Sequence, residues 1–203
     1  VLKQAIRLAR YGLSVHWLRE ADKAPFTRDW ANAPVMTEDD LEATYKPGYN
    51  LGMRPGEWSK IGKRQYLVVL DVDVKGDQRD ADEAFDYLDE ILPRWRKLPH
   101  VLSGGGGHGR HIYLITDEPM AGKKLAHSKR SKIKWVDKKG KDKSSWPWEV
   151  QLMGTGMNLV LPPSIHPETG NEYVWGREID WDALDLGIGP IFDHDEILSW
   201  ARD

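Results

Sequence analysis

The sequence predicts an α+β domain organised around a largely antiparallel sheet. Three observations lead there. The run Tyr66-Leu-Val-Val-Leu-Asp-Val-Asp-Val74 is dense in β-branched and apolar residues, as a strand requires. Helical spacing of apolar residues is confined to the first eleven positions, a segment near 80–92 and the tail. Between them lie short apolar runs separated by turns, with too few strand–helix–strand units for a doubly wound sheet.

Residues 1–11 form the first predicted helix, with Gly12 placed to end it. Leu13 to Leu18 reads as a strand, and residues 21–36, with two prolines, as a loop. Thr37 followed by acids at 38–40 starts a short helix through a capping box, ending near Tyr45 before Lys46-Pro-Gly48. Asn50-Leu-Gly-Met53 is a brief strand, and 65–74 is the clearest one. A turn at Lys75-Gly-Asp-Gln78 leads to a helix from Asp80 to about Leu92. Its stripe is Ala84, Phe85, Leu88, Ile91 and Leu92, and Pro93 stops it. Val101-Leu102 runs into the glycines 104–107, and His111 to Ile115 is a strand. Residues 123–143 read as a loop with one strand at Ile133 to Val136. Trp148 to Met153 and Met157 to Leu161 are strands joined by Gly154-Thr-Gly156; a short strand at Glu172 to Trp175 and a helix at Asp193 to Trp200 follow.

A chain of 203 residues, 40% of them hydrophobic, can bury the core of one domain spanning 1–203, or at most two lobes. With no cysteine, disulfides, thiolate-bound zinc, iron–sulfur clusters and thiol nucleophiles are excluded. No apolar stretch approaches the roughly 18 residues of a membrane span, and no signal peptide is visible, so a cytoplasmic setting is expected. Beginning at Val1, the chain reads as a piece of a longer protein. The net charge is −3, yet Lys123 to Lys143 holds ten Lys or Arg against Asp137 and Asp142. That block carries +8 and leaves −11 elsewhere, a segregation that suits polyanion binding.

Strand alternation puts Asp71 and Asp73 on one face, at the end of a buried-looking run. Like charges so placed need a neutraliser, and Mg²⁺ or Mn²⁺ suits hard oxygen ligands. Glu149, on the strand Trp148 to Met153, is the natural third carboxylate for a two-metal site. All three would also be accommodated as solvent-facing strand residues. Ser103-Gly-Gly-Gly-Gly-His-Gly-Arg-His111 offers tight turns whose backbone amides can cradle phosphate, with Ser103 and Gly105 in the cradle and His108, Arg110 and His111 as added donors. Ser164 and His166 share a face after Pro162-Pro163 and would present a hydroxyl and an imidazole to a triphosphate. Lys129, Arg130, Lys132, Lys134, Lys138 and Lys139 would hold nucleic-acid backbone, with Trp135, and Trp146 or Trp148 as further candidates, stacking on bases. A non-catalytic single-strand-binding module and a metal-dependent nuclease use much of the same equipment; a small-molecule hydrolase explains neither the glycine cluster nor the basic block.

In order along the chain, these segments resemble the bifunctional primase–polymerase domain of plasmid and phage replication proteins, in the archaeo-eukaryotic primase superfamily. Lys23-Ala-Pro25 with Trp30, Asn50-Leu-Gly-Met53 with Gly56, Leu70-Asp-Val-Asp73, Ser103-Gly-Gly with His111-Ile-Tyr113, and Glu149 carry the likeness. So does Leu161-Pro-Pro-Ser-Ile-His-Pro167 with Thr169-Gly170 and Tyr173-Val-Trp175. The resemblance implies an α/β module joined to a sheet resembling an RNA-recognition motif, with the active site between them. It implies nucleotidyl transfer with Asp71, Asp73 and Glu149 binding two Mg²⁺ or Mn²⁺ ions, and His111, Ser164 and His166 in the nucleotide pocket. The implied partners are dNTPs or NTPs, single-stranded or primer–template DNA, and a replicative helicase, in a prokaryotic or phage-infected cell. The glycine run is longer than the family's, with His108-Gly-Arg110 inserted, and His111 is the favoured phosphate ligand. The zinc-binding stem of some members is not expected here, for want of cysteine. The helicase and helix-bundle domains that often follow are not part of these residues.

Overall fold

The computed structural model describes residues 1–137 and 140–202. In chain order the elements are α1 (Leu2–Arg10), β1 (Ser14–Leu18), α2 (Glu38–Thr44), β2 (Asn50–Arg54), β3 (Lys60–Ile61), β4 (Gln65–Val74), α3 (Gln78–Ile91), β5 (His100–Leu102), β6 (Arg110–Thr116), β7 (Lys123–His127), β8 (Ile133–Val136), β9 (Asp142–Ser145), β10 (Trp148–Met153), β11 (Leu159–Leu161), β12 (Val174–Arg177), α4 (Trp181–Asp185) and α5 (His194–Ser199).

A seven-stranded sheet runs β12-β5-β6-β4-β10-β7, with β3 added to β4; β1-β2-β11 form a second sheet and β8-β9 a separate ladder. All of these ladders are antiparallel, as the sequence predicts. The alternation of β4 divides the core. Leu67 and Val69 pack with Ala5 and Leu8 of α1 and with Trp17, Leu51 and Leu161 of the small sheet. Val68, Leu70, Val72 and Val74 face the other way, onto Ala81, Ala84 and Leu88 of α3 and Ile197 and Trp200 near the C-terminus. The large sheet is thus covered on both faces, so β4 can be almost continuously apolar up to its acidic end. Burying a side chain such as Leu88 contributes on the order of 2 kcal/mol.

Local signals account for the helix ends. Thr37 and Asp40 form the capping box of α2, and Asp77 and Asp80 form that of α3. Helix α3 ends at Ile91, two residues before Pro93. Gly12 follows α1 with φ +94°, and a Cβ there would lie 2.2 Å from the Lys60 carbonyl oxygen.

Two expectations need correcting. The basic segment is more ordered than a loop with one strand: β7 adds to β10, and β9 pairs with β8. Leu125 and Ala126 anchor β7 in the core, while the exposed Lys123 and Lys124 on this edge strand mask its strand character in the sequence. Helix α4 was unexpected; its signal is Asp180, whose carboxylate accepts from the Ala183 amide. Strands β10 and β11, adjacent in sequence, belong to different sheets, so Gly154-Thr-Gly156 carries the chain from one to the other.

Candidate active site

The register of the large sheet sets out the acidic residues. Asp71 on β4 is opposite His111 on β6 and Gln151 on β10. Asp73 is opposite Glu149 on β10, and Glu149 is opposite His127 on β7. Directly paired residues project from the same side of a sheet. Asp71, Asp73 and Glu149 therefore share the face that carries Leu67 and Val69, beyond the apolar core and beside the small sheet.

A cleft of about 110 Å³ opens there, lined by Lys23, Asp71, Asp73, Ser103, Gly105, His111, Asn158, His166 and Tyr173 among others. The side chain of Asp71 keeps about a third of its surface in solvent, at 32%. Its carboxyl is nonetheless pushed up to about 7, first by burial and then by Asp73 and Glu149, against the pull of Lys23 and Lys75. The His111 Nε2 lies 3.5 Å from Asp71 Oδ1, and its Nδ1 is buried without a hydrogen-bond partner. Burial, then the Lys23 ammonium, holds His111 down at about 3, so it is a neutral imidazole at physiological pH. His166 is lowered to about 4 by burial, Lys23 and Lys75. The Tyr173 ring stands between them, its centroid 5.7 Å from His111 and 5.8 Å from His166.

The glycine loop forms one wall. The Ser103 amide donates to the Gly109 carbonyl (3.1 Å) and closes the loop. Thr169 Oγ1 and Asn171 Nδ2 donate to the Gly104 carbonyl at 2.6 and 3.2 Å, tying the loop to the segment after His166. A Cβ at Gly105 would sit 3.1 Å from His166 Nε2, so a side chain there would crowd the imidazole.

Other expected site residues lie elsewhere. Ser164 is fully buried; its hydroxyl accepts from the Leu51 amide (2.8 Å) and donates to the Leu51 carbonyl (3.3 Å). It pins β2 rather than facing the cleft. Asn50 completes that clamp, donating to the Ile165 carbonyl and accepting from its amide. The Arg110 guanidinium donates to the carbonyls of Gly107 and Gly109 at 2.9 and 2.8 Å, bracing the loop from within. His108 is half-buried and does not line the cleft. Glu149 lies on the shared face beyond the cleft's lining, 3.6 Å from Lys124 Nζ, while Lys75 Nζ lies 3.3 Å from Asp73.

Of the basic set, Lys129, Lys132 and Lys134 are exposed, and Trp135 is half-buried on the β8-β9 ladder. Arg130 is engaged structurally, pairing with the buried Asp80 and lying 3.5 Å from Glu83. Lys138 and Lys139 lie outside the described residues. Lys23, Asn158 and Tyr173 are cleft residues that the motifs did not single out as site residues. Lys23 and Tyr173 stand in the segments that carry the family resemblance, which was their only signal.

Among the described residues, no three His, Asp or Glu side chains are grouped to hold a metal ion. The donor chemistry nevertheless fits a hard divalent cation: three carboxylates share a face, and Asp71 is raised by burial and then by the charges of the other two. Two of the three carboxylates are instead matched by the ammonium groups of Lys75 and Lys124.

A mixed α/β fold carrying a carboxylate row beside a Lys- and His-lined cleft is suited to phosphate chemistry. The family profile described as bifunctional DNA primase/polymerase, N-terminal, matches residues 5–185. The chain belongs to this family of nucleotidyltransferases, whose members typically use divalent metal ions. A search of curated proteins finds no match. Among the described residues, no helix is long and apolar enough to cross a membrane.

Proposed function

We propose that residues 1–203 are a single catalytic domain that extends or initiates DNA strands by template-directed nucleotidyl transfer. A 3′-hydroxyl attacks the α-phosphate of a nucleoside triphosphate, forming the new phosphodiester bond as pyrophosphate leaves. The observation that carries this reading is the shared face of Asp71, Asp73 and Glu149 beside the cleft of Lys23, His111 and His166. In the terms of the family, the large sheet is the half resembling an RNA-recognition motif, and the small sheet with α1 and α2 is the α/β module.

Asp71, Asp73 and Glu149 would hold Mg²⁺ or Mn²⁺, which would activate the attacking hydroxyl and neutralise phosphate charge. Lys23, in the cleft lining, supplies positive charge. Ser103 and Gly105 fix the loop whose backbone faces the triphosphate. His111, beside Asp71 and Tyr173, would offer its single neutral N–H from Nε2 toward the triphosphate. His166 closes the pocket against Gly105, and Ser164 acts indirectly by holding β2 in place.

Extension of a labelled primer on a single-stranded template, with Mg²⁺ or Mn²⁺ and either dNTPs or NTPs, tests the reading. Longer products support it; shorter ones indicate a nuclease, and an intact, bound primer a binding module.

His111→Ala is expected to weaken triphosphate binding about tenfold, the scale of one hydrogen bond to a charged group, with DNA affinity unchanged. Separate titrations with nucleotide and DNA check this, and a larger loss for His108→Ala would reverse the assignment. Exchanging Lys129, Lys132, Lys134 and Lys143 for glutamine is expected to weaken single-strand binding and flatten its salt dependence. The log–log slope should fall by up to about 3, at roughly 0.7 per phosphate contact. Unchanged affinity at low salt would remove the basic segment from the DNA path.

A further inference from the structure

We infer that the stacked side chains of His127 and Trp146 form the platform for the 3′-terminal base of the primer strand. This inference rests on the polymerase reading. His127 ends the row that runs from Asp73 through Glu149, so its side chain leaves the sheet on the carboxylate face. Neighbouring strands are about 4.8 Å apart, which places the backbone of His127 about 10 Å from that of Asp73.

The pair is ordered in advance. The two rings lie 4.1 Å apart and 4° from parallel. His127 Nδ1 is 2.8 Å from the Ser128 carbonyl, which can only accept, so Nδ1 carries the proton and the ring plane is fixed. The Ser128 amide in turn donates to the Trp148 carbonyl (2.9 Å), anchoring the corner to β10. His127 itself is exposed. A flat aromatic surface at the open edge of a sheet suits a nucleobase, because bases stack on aromatic side chains irrespective of sequence.

The surrounding charge suits a strand backbone. Lys132 Nζ lies 4.9 Å from the centre of the Trp146 ring, and Lys124 reaches Glu149 from the same edge strand. The choice of the primer's last base follows from the chemistry. The attacking 3′-oxygen must meet the carboxylate row, and the base on that same sugar lies one nucleotide's reach away. His127 is the next side chain along that row.

The test is binding of a fluorescein-labelled primer–template by anisotropy, without nucleotides, using either an intact primer or one with an abasic 3′-terminal residue. The wild-type protein should bind the abasic primer about tenfold more weakly. His127→Ala should bind the intact primer about tenfold more weakly and lose its response to the abasic change. His127→Phe, which retains a stacking ring, should restore both. An equal abasic penalty in wild type and His127→Ala overturns the platform, as does a penalty that follows an abasic site in the template instead. A protein that passes this test yet never extends a primer overturns the polymerase reading and leaves the platform standing. One that extends primers with no dependence on His127 overturns the platform alone.

Discussion

Replacing Asp71 or Asp73 with alanine is expected to reduce primer extension on the order of a thousandfold while leaving the fold intact. Metal-held carboxylates supply several kcal/mol of charge stabilisation to phosphoryl chemistry, and each 1.36 kcal/mol is tenfold in rate. The fold should survive because β4 is held by residues of the other parity, Val68, Leu70, Val72 and Val74, and by Leu67 and Val69 further back. Gathering like charges on one face opposes folding rather than supporting it. A second readout is independent of turnover. Mn²⁺ should raise the melting temperature of the wild-type protein by about 5–11 °C near 100 times its dissociation constant, and should not do so in the double alanine variant. Near-normal extension by either single variant, or an equal Mn²⁺ shift in the double variant, would overturn the metal assignment.

Asp80→Ala is expected to destabilise the protein by about 3 kcal/mol, a fall of roughly 6–12 °C in melting temperature. The Asp80 side chain is only 5% exposed and pairs with the Arg130 guanidinium, whose Nε is itself buried without a hydrogen-bond partner. Asp80 also accepts from the Asp77 amide at 3.1 Å, completing the cap of α3. Alanine would remove the Asp80 half of the capping box, leaving the Asp77 carboxylate on the residue-80 amide, and would strand a partly buried cation. Because the groups act as a unit, Arg130→Ala added to Asp80→Ala should cost much less than the sum of the two single changes. Urea denaturation of the four proteins checks this; a loss under 1 kcal/mol for Asp80→Ala would show that the pair contributes little.

The contrast between these sites shows which parts of the molecule the sequence discloses. Asp71 and Asp73 are legible because strand alternation is local: once Tyr66 to Val74 is a strand, the two carboxylates must share a face. The cap at Thr37 is similarly confined to four consecutive residues, whereas Asp77, read from the sequence as part of a turn, caps a helix that begins at Gln78 rather than Asp80. Strand β7 is not legible, since its apolar content is two residues and its partner β10 lies across the intervening β8-β9 ladder. Ser164 and Arg130 carry side chains suited to ligands, yet tertiary neighbours take them up: the backbone of Leu51 in one case, Asp80 in the other. The cleft draws Lys23, Asn158 and Tyr173 from three distant places, and no short-range rule brings them together.

The small sheet has a consequence for the protein's synthesis. Leu51 of β2 is paired with Leu161 of β11, 110 positions later. At 5–20 residues per second, a ribosome takes about 5–20 seconds to supply that partner. Meanwhile β2, even when paired with β1, offers an unpaired apolar edge, the kind of surface that recruits chaperones or other nascent chains. His166 emerges later still. A chain stalled before Val160 would hold the acidic strand without Val160, His166 and Tyr173 of the cleft lining, so the residues after β10 decide when the cleft first exists.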